Sequence, residues 1–228
     1  QGLAFDIAVH VGTLLAVIVY YRRDLLQLAG GCRDAVRFRE ANAETQMVLM
    51  LVCASVPVAV VGMAGVSFIE DKLRTLPVIA TTTAVFGLLL AYADRYTRRV
   101  SSNRGLTMPI ALMIGMAQAL APVPGVSRSG VTITAGLLLD LDRQTAARFS
   151  FLLSIPVIAG AGLVKSIELV RGDAPVDWLL LFVGAVVAAL TAYACIAVFL
   201  RLLDRIGLMP FVYYRMLLAG LLFWLWLA

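Results

Sequence analysis

The chain has 228 residues, of which 61% are hydrophobic and only 14% charged, and its formal net charge is +5. Soluble domains carry about 25% charged residues, so composition excludes an ordinary soluble enzyme and points to an all-α integral membrane protein. The arginines cluster in short loops between apolar runs, which is a topology signal and not a nucleic-acid footprint.

The first residue is Gln, an apolar run follows at once, and no signal peptide is recognisable. Six stretches approach or exceed the roughly 20 apolar residues that a span requires: 3–21, 46–69, 76–93, 146–164, 178–200 and 210–228. In the first, Asp6 and His10 lie one turn apart and can share a face. Asp6 sits near the membrane boundary, where a solvated or helix-starting role is the simpler expectation. Phe68, Trp178, Trp224 and Trp226 are expected as interface anchors. Cys32, Cys53 and Cys195 are too widely spaced for a zinc site or a disulfide framework.

Between the third and fourth spans, 108–139 is apolar but broken by Pro122, Pro124, Gly125 and Gly130. It reads as two half-helices joined by an irregular turn. Irregular backbone at membrane depth must be buried in protein or line a wet cavity, and a re-entrant hairpin meets that demand. Loop charges agree. With 108–139 re-entrant, thirteen arginines fall on one face against four Lys or Arg on the other; with 108–139 spanning, the split is 11 to 6. The positive-inside rule favours the first and places the thirteen in the cytoplasm. After the hairpin, Asp140, Asp142 and Arg143 read as a solvated turn. Ser154 and Pro156 kink the fourth span. Arg215, inside the last span, needs a partner or a wet path, and an ion pair with Asp204 or an interfacial position is as good an expectation as function.

Residues 69–90 align without a gap on 202–223, at an offset of 133. Asp71 falls on Asp204, Lys72 on Arg205, Pro77 on Pro210 and Gly87 on Gly220. With three spans per copy, the copies run in opposite directions. Inverted repeats place a ligand site at their interface, built from broken helices. The chain is thus expected to be one membrane domain, 1–228. The remainder of a first repeat occupies 1–105, and a second repeat, 106–228, carries the hairpin. The hairpin of the first repeat is expected upstream of residue 1.

Residues 122–136, PVPGVSRSGVTITAG, carry the chemistry. The prolines end one half-helix and Gly125 sets a tight turn. The start of the next half-helix offers unpaired N–H groups and partial positive charge, both favourable to phosphate. Arg128 can fork onto two phosphate oxygens, Ser127, Ser129 and Thr132 offer hydroxyls, and Gly125 and Gly130 allow close backbone approach. Thr132, three residues after Ser129, is expected to face the same ligand. A guanidinium at membrane depth costs about 2.5–3.5 kcal/mol on insertion scales, so an anionic ligand is the natural compensation. The competing reading is that Ser127 or Ser129 caps the half-helix while Arg128 reaches the cytoplasmic surface. Gln118, one turn before Pro122, is expected to bond the freed carbonyls of the turn.

PGVSRSGVTITAG, preceded by Gln118, resembles the second signature of the undecaprenyl-diphosphate phosphatases, the bacitracin-resistance family. FDIAVHVGTLLAVIVYYRRDL, ARFSFLLSIPVIAGA and PFVYYRMLLAG are similar to that family too, so the resemblance covers essentially the whole chain. It implies a multi-pass protein of the bacterial plasma membrane, with inverted repeats, six spans and two re-entrant hairpins. Its partner would be a polyprenyl diphosphate lipid, from which one phosphate is removed to recycle the carrier of cell-wall synthesis. Arg128, Ser127 and Thr132 then correspond to catalytic residues, and Ser129, Gly125, Gly130 and Gln118 to substrate-binding ones. The family's first signature, a glutamate-rich stretch followed by a Pro-Val-Ser-Ser-Thr-Gly-His turn, is not in these 228 residues. A divalent metal (Mg or Ca) is therefore expected only in the full-length protein, with no metal ligand from this chain. The chain by itself is expected to hold half a site and not to turn over.

A lipid-phosphate transporter or flippase is the rival, because inverted repeats and broken helices are also transporter architecture. Lipid phosphatases that rely on several histidines are disfavoured by the single His10.

Overall fold

The structure, a computed structural model, describes residues 2–40, 42–99, 104–171 and 177–227, all helix and connecting turns with no strand among them. In chain order the described helices are α1 (Gly2–Tyr20), α2 (Arg22–Phe38), α3 (Ala43–Lys72), α4 (Leu76–Arg99), α5 (Met108–Gln118), α6 (Arg128–Leu138), α7 (Arg143–Arg171), α8 (Trp178–Ile206) and α9 (Met209–Leu227). Five of these, α3, α4, α7, α8 and α9, are long and apolar enough to cross a membrane. A sixth apolar stretch lies in α1, and the largely polar α2 continues from it at a bend of 75°. Trp178, Trp224 and Trp226 are exposed, as membrane-facing anchors should be. The side chain of Phe68 lies outside the described ones.

The broken hairpin forms where the prolines predict. Pro109 opens α5 behind an extended Thr107, a position that tolerates a missing N–H. α5 then dissolves into turns after Gln118, and α6 starts only at Arg128. Each half-helix has 11 residues, about 16 Å at 1.5 Å per residue and so about half a hydrocarbon core. Neither can span alone, in keeping with the re-entrant reading.

One helix was not anticipated. Residues 22–38 read as a charged loop, yet they form α2. The bend at Tyr21 separates it from α1, and an interrupted helix whose polar half is rich in arginine looks like loop when judged by hydropathy alone.

The helices group into two compact units, Gln1–Leu49 with Phe151–Leu200, and Met50–Ser150 with Arg201–Ala228. The boundaries differ from 1–105 and 106–228, so each unit draws on both proposed repeats. In the first unit an aromatic chain runs Tyr193, Tyr20, Tyr21, Phe151, Phe199, with centroid spacings of 5.2–6.0 Å. In the second, α4 packs along α9 and α6, and α5 packs on α6. Its core includes Ile114, Ile133, Leu137, Leu141 and Phe149, all nearly inaccessible. In lipid the driving force is close packing and not removal of apolar surface from water, so small residues mark tight contacts. A Cβ on Gly115 would sit 2.5 Å from the Ala54 carbonyl oxygen. The breaks before α4 and α9 fall 133 residues apart (Leu76 and Met209), the offset seen in the sequence.

Candidate functional site

The site is built within the second unit, at the start of α6. Ser127 is the N-cap residue and its hydroxyl accepts the Gly130 N–H at 3.3 Å. Its backbone is unusual for serine, with φ +67°, a region that costs an L-residue about 1–2 kcal/mol. Strain of this kind persists only where the surroundings impose it. The N–H groups of Arg128 and Ser129 belong to the first turn, where no helical carbonyl precedes them. They are the donors that a phosphate would meet.

The turn itself is held from α4 and α9. Thr82 Oγ1 donates to the Pro124 carbonyl at 2.6 Å, and Thr83 Oγ1 to the Gly125 carbonyl at 3.4 Å. Gly125 has φ +89°, and a Cβ there would fall 2.2 Å from Thr82 Oγ1 and 2.6 Å from the Ile79 carbonyl. Gly125 thus permits a close approach to α4. Gly130 is different. The nearest atoms to a Cβ added there would be those of Ser127 at 3.1–3.2 Å and Arg215 Nη1 at 3.6 Å, so it lies at the start of the helix beside Arg215.

Arg215, marked in the sequence as a cation within the last span that needs a partner or a wet path, finds its partners at this turn. It makes no ion pair with Asp204, whose carboxylate instead takes a hydrogen bond from Gln144. Arg215 Nη2 donates to the carbonyls of Gly125 (2.8 Å), Thr83 (3.2 Å) and Val126 (3.3 Å). Its Nη1 lies beside Gly130, and its Nε is buried with no hydrogen-bond partner among the described residues. The two cations at the α6 start, Arg128 and Arg215, have no carboxylate partner among the described residues.

Arg128 is half-buried and its Nη1 donates to the Ser150 carbonyl at 3.3 Å. Thr132 is fully buried, and its hydroxyl lies 2.7 Å from Ser150 Oγ and bonds the carbonyls of Arg128 and Ser129. Thr132 thus turns inward to α7 instead of facing a ligand beside Ser129. Ser150, unremarked in the sequence, meets both, its carbonyl accepting from Arg128 and its hydroxyl lying against that of Thr132. Ser129 and Ser127 are left nearest to solvent. Gln118 is fully buried and neither amide atom has a partner among the described residues, so it does not bond the turn carbonyls as expected.

The remaining polar candidates serve the scaffold. His10 Nδ1 lies 2.7 Å from the backbone carbonyl of Asp6, not its carboxylate. Asp142 is exposed in the turn before α7, as expected. It caps α7 through Thr145, while Arg143 pairs at 2.6 Å with the fully buried Asp94 of α4. No three His, Cys, Asp or Glu side chains come together as a metal site among the described residues.

This arrangement can grip an anionic group with two guanidinium-bearing side chains, helix N–H groups and hydroxyls. Comparison with known proteins agrees with it. Residues 1–221 match the family described as BacA, bacitracin resistance protein BacA. The chain belongs to this family. It is similar to the undecaprenyl-diphosphatase of Alcanivorax borkumensis, with 53% identity over 99% of this chain and 85% of that protein. It is 50% identical to the undecaprenyl-diphosphatase of Hahella chejuensis, over 100% of this chain and 86% of that protein. The protein of that name from Alteromonas mediterranea is 46% identical over 98% and 84%. The BacA likeness runs through α6 and α9 alike, so Arg128 and Arg215 both lie within the matched residues.

Proposed function

We propose that this protein hydrolyses undecaprenyl diphosphate to undecaprenyl phosphate and inorganic phosphate, in the bacterial plasma membrane. The net reaction breaks the bond between the terminal phosphorus and the bridging oxygen; the oxygen from water ends on the released phosphate. The observation that carries the reading is the pair of arginines without carboxylate partners, Arg128 and Arg215, at the N-terminus of a half-helix. Membership in the BacA family, and the names of the relatives, favour hydrolysis over carriage of the same lipid.

In this reading Arg128 forks onto the diphosphate and neutralises charge as the bridging bond breaks. Such interactions are worth most where they are preorganised in a water-poor site. The first-turn N–H groups and the hydroxyls of Ser127 and Ser129 orient the same group, with Gly130 leaving room. Ser150 and Thr132 hold Arg128 and the first turn in place. The isoprenoid tail lies along apolar helix surfaces in the bilayer. A divalent cation, Mg or Ca, stays part of the proposal for the complete site, but the described residues do not form its cage and no step is assigned to it.

The test is phosphate release from undecaprenyl diphosphate by the protein expressed from its complete reading frame. Arg128→Lys keeps the charge but cannot fork, and is expected to lose about tenfold or more. Release by that variant at the wild-type rate would remove Arg128 from the role. Movement of the lipid across vesicles without release would favour the carrier.

A further inference from the structure

Only six residues separate α7 from α8, too few for a counterpart of the 17-residue α2, and nothing in the phosphate site uses it. Its position follows from topology. The chain leaves a spanning direction at Tyr20 and starts the next span at Ala43, so α2 lies at the membrane face between them. The 75° bend turns it toward the membrane plane. The bend is anchored by Tyr21, 5% exposed, with its ring centroid 6.0 Å from that of Phe151. Arg22 Nη1 donates to the Val19 carbonyl at 3.0 Å. Past the end of α2, Asn42 Nδ2 donates to the Gly31 carbonyl (2.7 Å) while its Oδ1 accepts the Thr45 N–H (2.8 Å) and so starts α3. α2 is thus tied down at its start and at its middle.

Its inward face carries the buried Leu28, the partly buried Asp24, and Gly31, which packs against Glu44. Its outward face is mixed in a particular way. At 100° per residue, Val36, Ala29, Arg22, Arg33, Leu26 and Arg37 fall in one arc of about 100°, and all six are exposed. Leu26 is 72% and Val36 82% exposed. In water these would be misplaced. At a bilayer surface the same mixture is favourable, since Leu and Val enter the acyl boundary while arginine stems lie along it with their charges at the phosphates. Residues 22–40 hold five arginines against Asp24, Asp34 and Glu40. Asp34 is engaged with Arg33, whereas Arg23 and Arg37 have no ion pair among the described residues. The excess charge selects anionic lipid.

We propose that α2 is an in-plane surface helix that binds the headgroups of anionic phospholipids through Arg23, Arg33 and Arg37, with Leu26 and Val36 set into the leaflet. This site is separate from the substrate arginines and does not rest on the proposed reaction.

The test places the protein in vesicles of phosphatidylcholine with and without phosphatidylglycerol, and counts the lipids it retains by native mass spectrometry. Phosphatidylglycerol should be preferred. The triple variant Arg23→Gln, Arg33→Gln, Arg37→Gln should lose about tenfold or more of that preference, and the matching Lys triple should keep it. Arg128→Ala should leave it unchanged. A Gln triple that still selects phosphatidylglycerol, or loss on Arg128→Ala, overturns the proposal. Depth is an independent check that avoids the triple. With Cys32, Cys53 and Cys195 changed to Ser, a fluorophore on Val36→Cys should be quenched by lipid-borne quenchers. Quenching only from the aqueous phase, or a disulfide-linked dimer through Val36→Cys, overturns it as well.

Discussion

At the scale of single residues, the turn before α6 separates holding from binding. Gly125 and Thr132 hold, because their close contacts go to α4 and α7. Ser127 is the case where stability and function can be pulled apart. Its φ of +67° suits glycine, and replacing a cap serine by glycine costs only a few tenths of a kcal/mol. Ser127→Gly should therefore melt within about 0.5 kcal/mol of wild type. If the hydroxyl touches substrate, phosphate release should still fall clearly. Unchanged release would make Ser127 a cap only. Arg215→Lys tests the second cation. The lysine cannot reach three carbonyls and the α6 start at once, so both measurements should move: a loss of about 1–3 kcal/mol in stability and about tenfold or more in activity. A loss of stability alone would leave Arg215 as a clamp on the turn. SRSG was legible as a phosphate motif because four adjacent residues carry it. Arg215 was not, because it reaches Gly125 and Val126 across 90 and 89 positions.

At the scale of elements, the ends of the helices decide where the site stands. α7 begins at Asp142, which takes the Thr145 N–H at 2.9 Å and the Thr145 hydroxyl at 2.5 Å. Burial raises the Asp142 pKa, but the hydrogen bonds from Thr145 and Gln144 outweigh it, so its carboxyl titrates below the ordinary range. A depressed carboxyl stabilises the fold above its unfolded pKa, about 4. That contribution is lost as pH falls through the folded value. Asp142→Ala should cost about 1 kcal/mol at neutral pH, and the difference between variant and wild type should shrink below about pH 4. A gap that persists in acid would assign the effect to packing. Prolines made the two half-helices legible as elements. α2 was not, since its identity as a helix depends on a bend and on tethers from Arg22 and Asn42 that hydropathy does not register.

At the scale of the whole molecule, the matched glycines Gly87 and Gly220 occupy equivalent places in α4 and α9 but meet different surroundings. A Cβ on Gly87 would lie 2.3 Å from Met216 Cε and 3.3 Å from Arg215 Cβ, whereas one on Gly220 meets nothing within 4 Å. Gly220→Ala should thus stabilise the protein by up to about 1 kcal/mol through helix propensity. Gly87→Leu should destabilise by about 1–3 kcal/mol as α9 is pushed away, carrying Arg215 with it and lowering activity. Thermal melts in detergent with paired phosphate-release assays decide this, and equal effects at the two positions would mean that α4 and α9 pack in the same way at both.

The sequence by itself determined the membrane class, the places of the spans, the broken hairpin and the motif at its turn. Each of these is written locally, in the length of an apolar run, a proline or four consecutive residues, and local free energies dominate where no water competes for the backbone. Only the tertiary structure decided that Arg215 closes on the turn, that Ser150 meets both Arg128 and Thr132, that Arg143 neutralises buried Asp94, and that Gln118 has no hydrogen bond among the described residues. Those outcomes depend on which side chains meet after the helices pack, over separations of up to 132 positions. A buried polar group takes whichever partner packing delivers, and spacing along the chain does not name it.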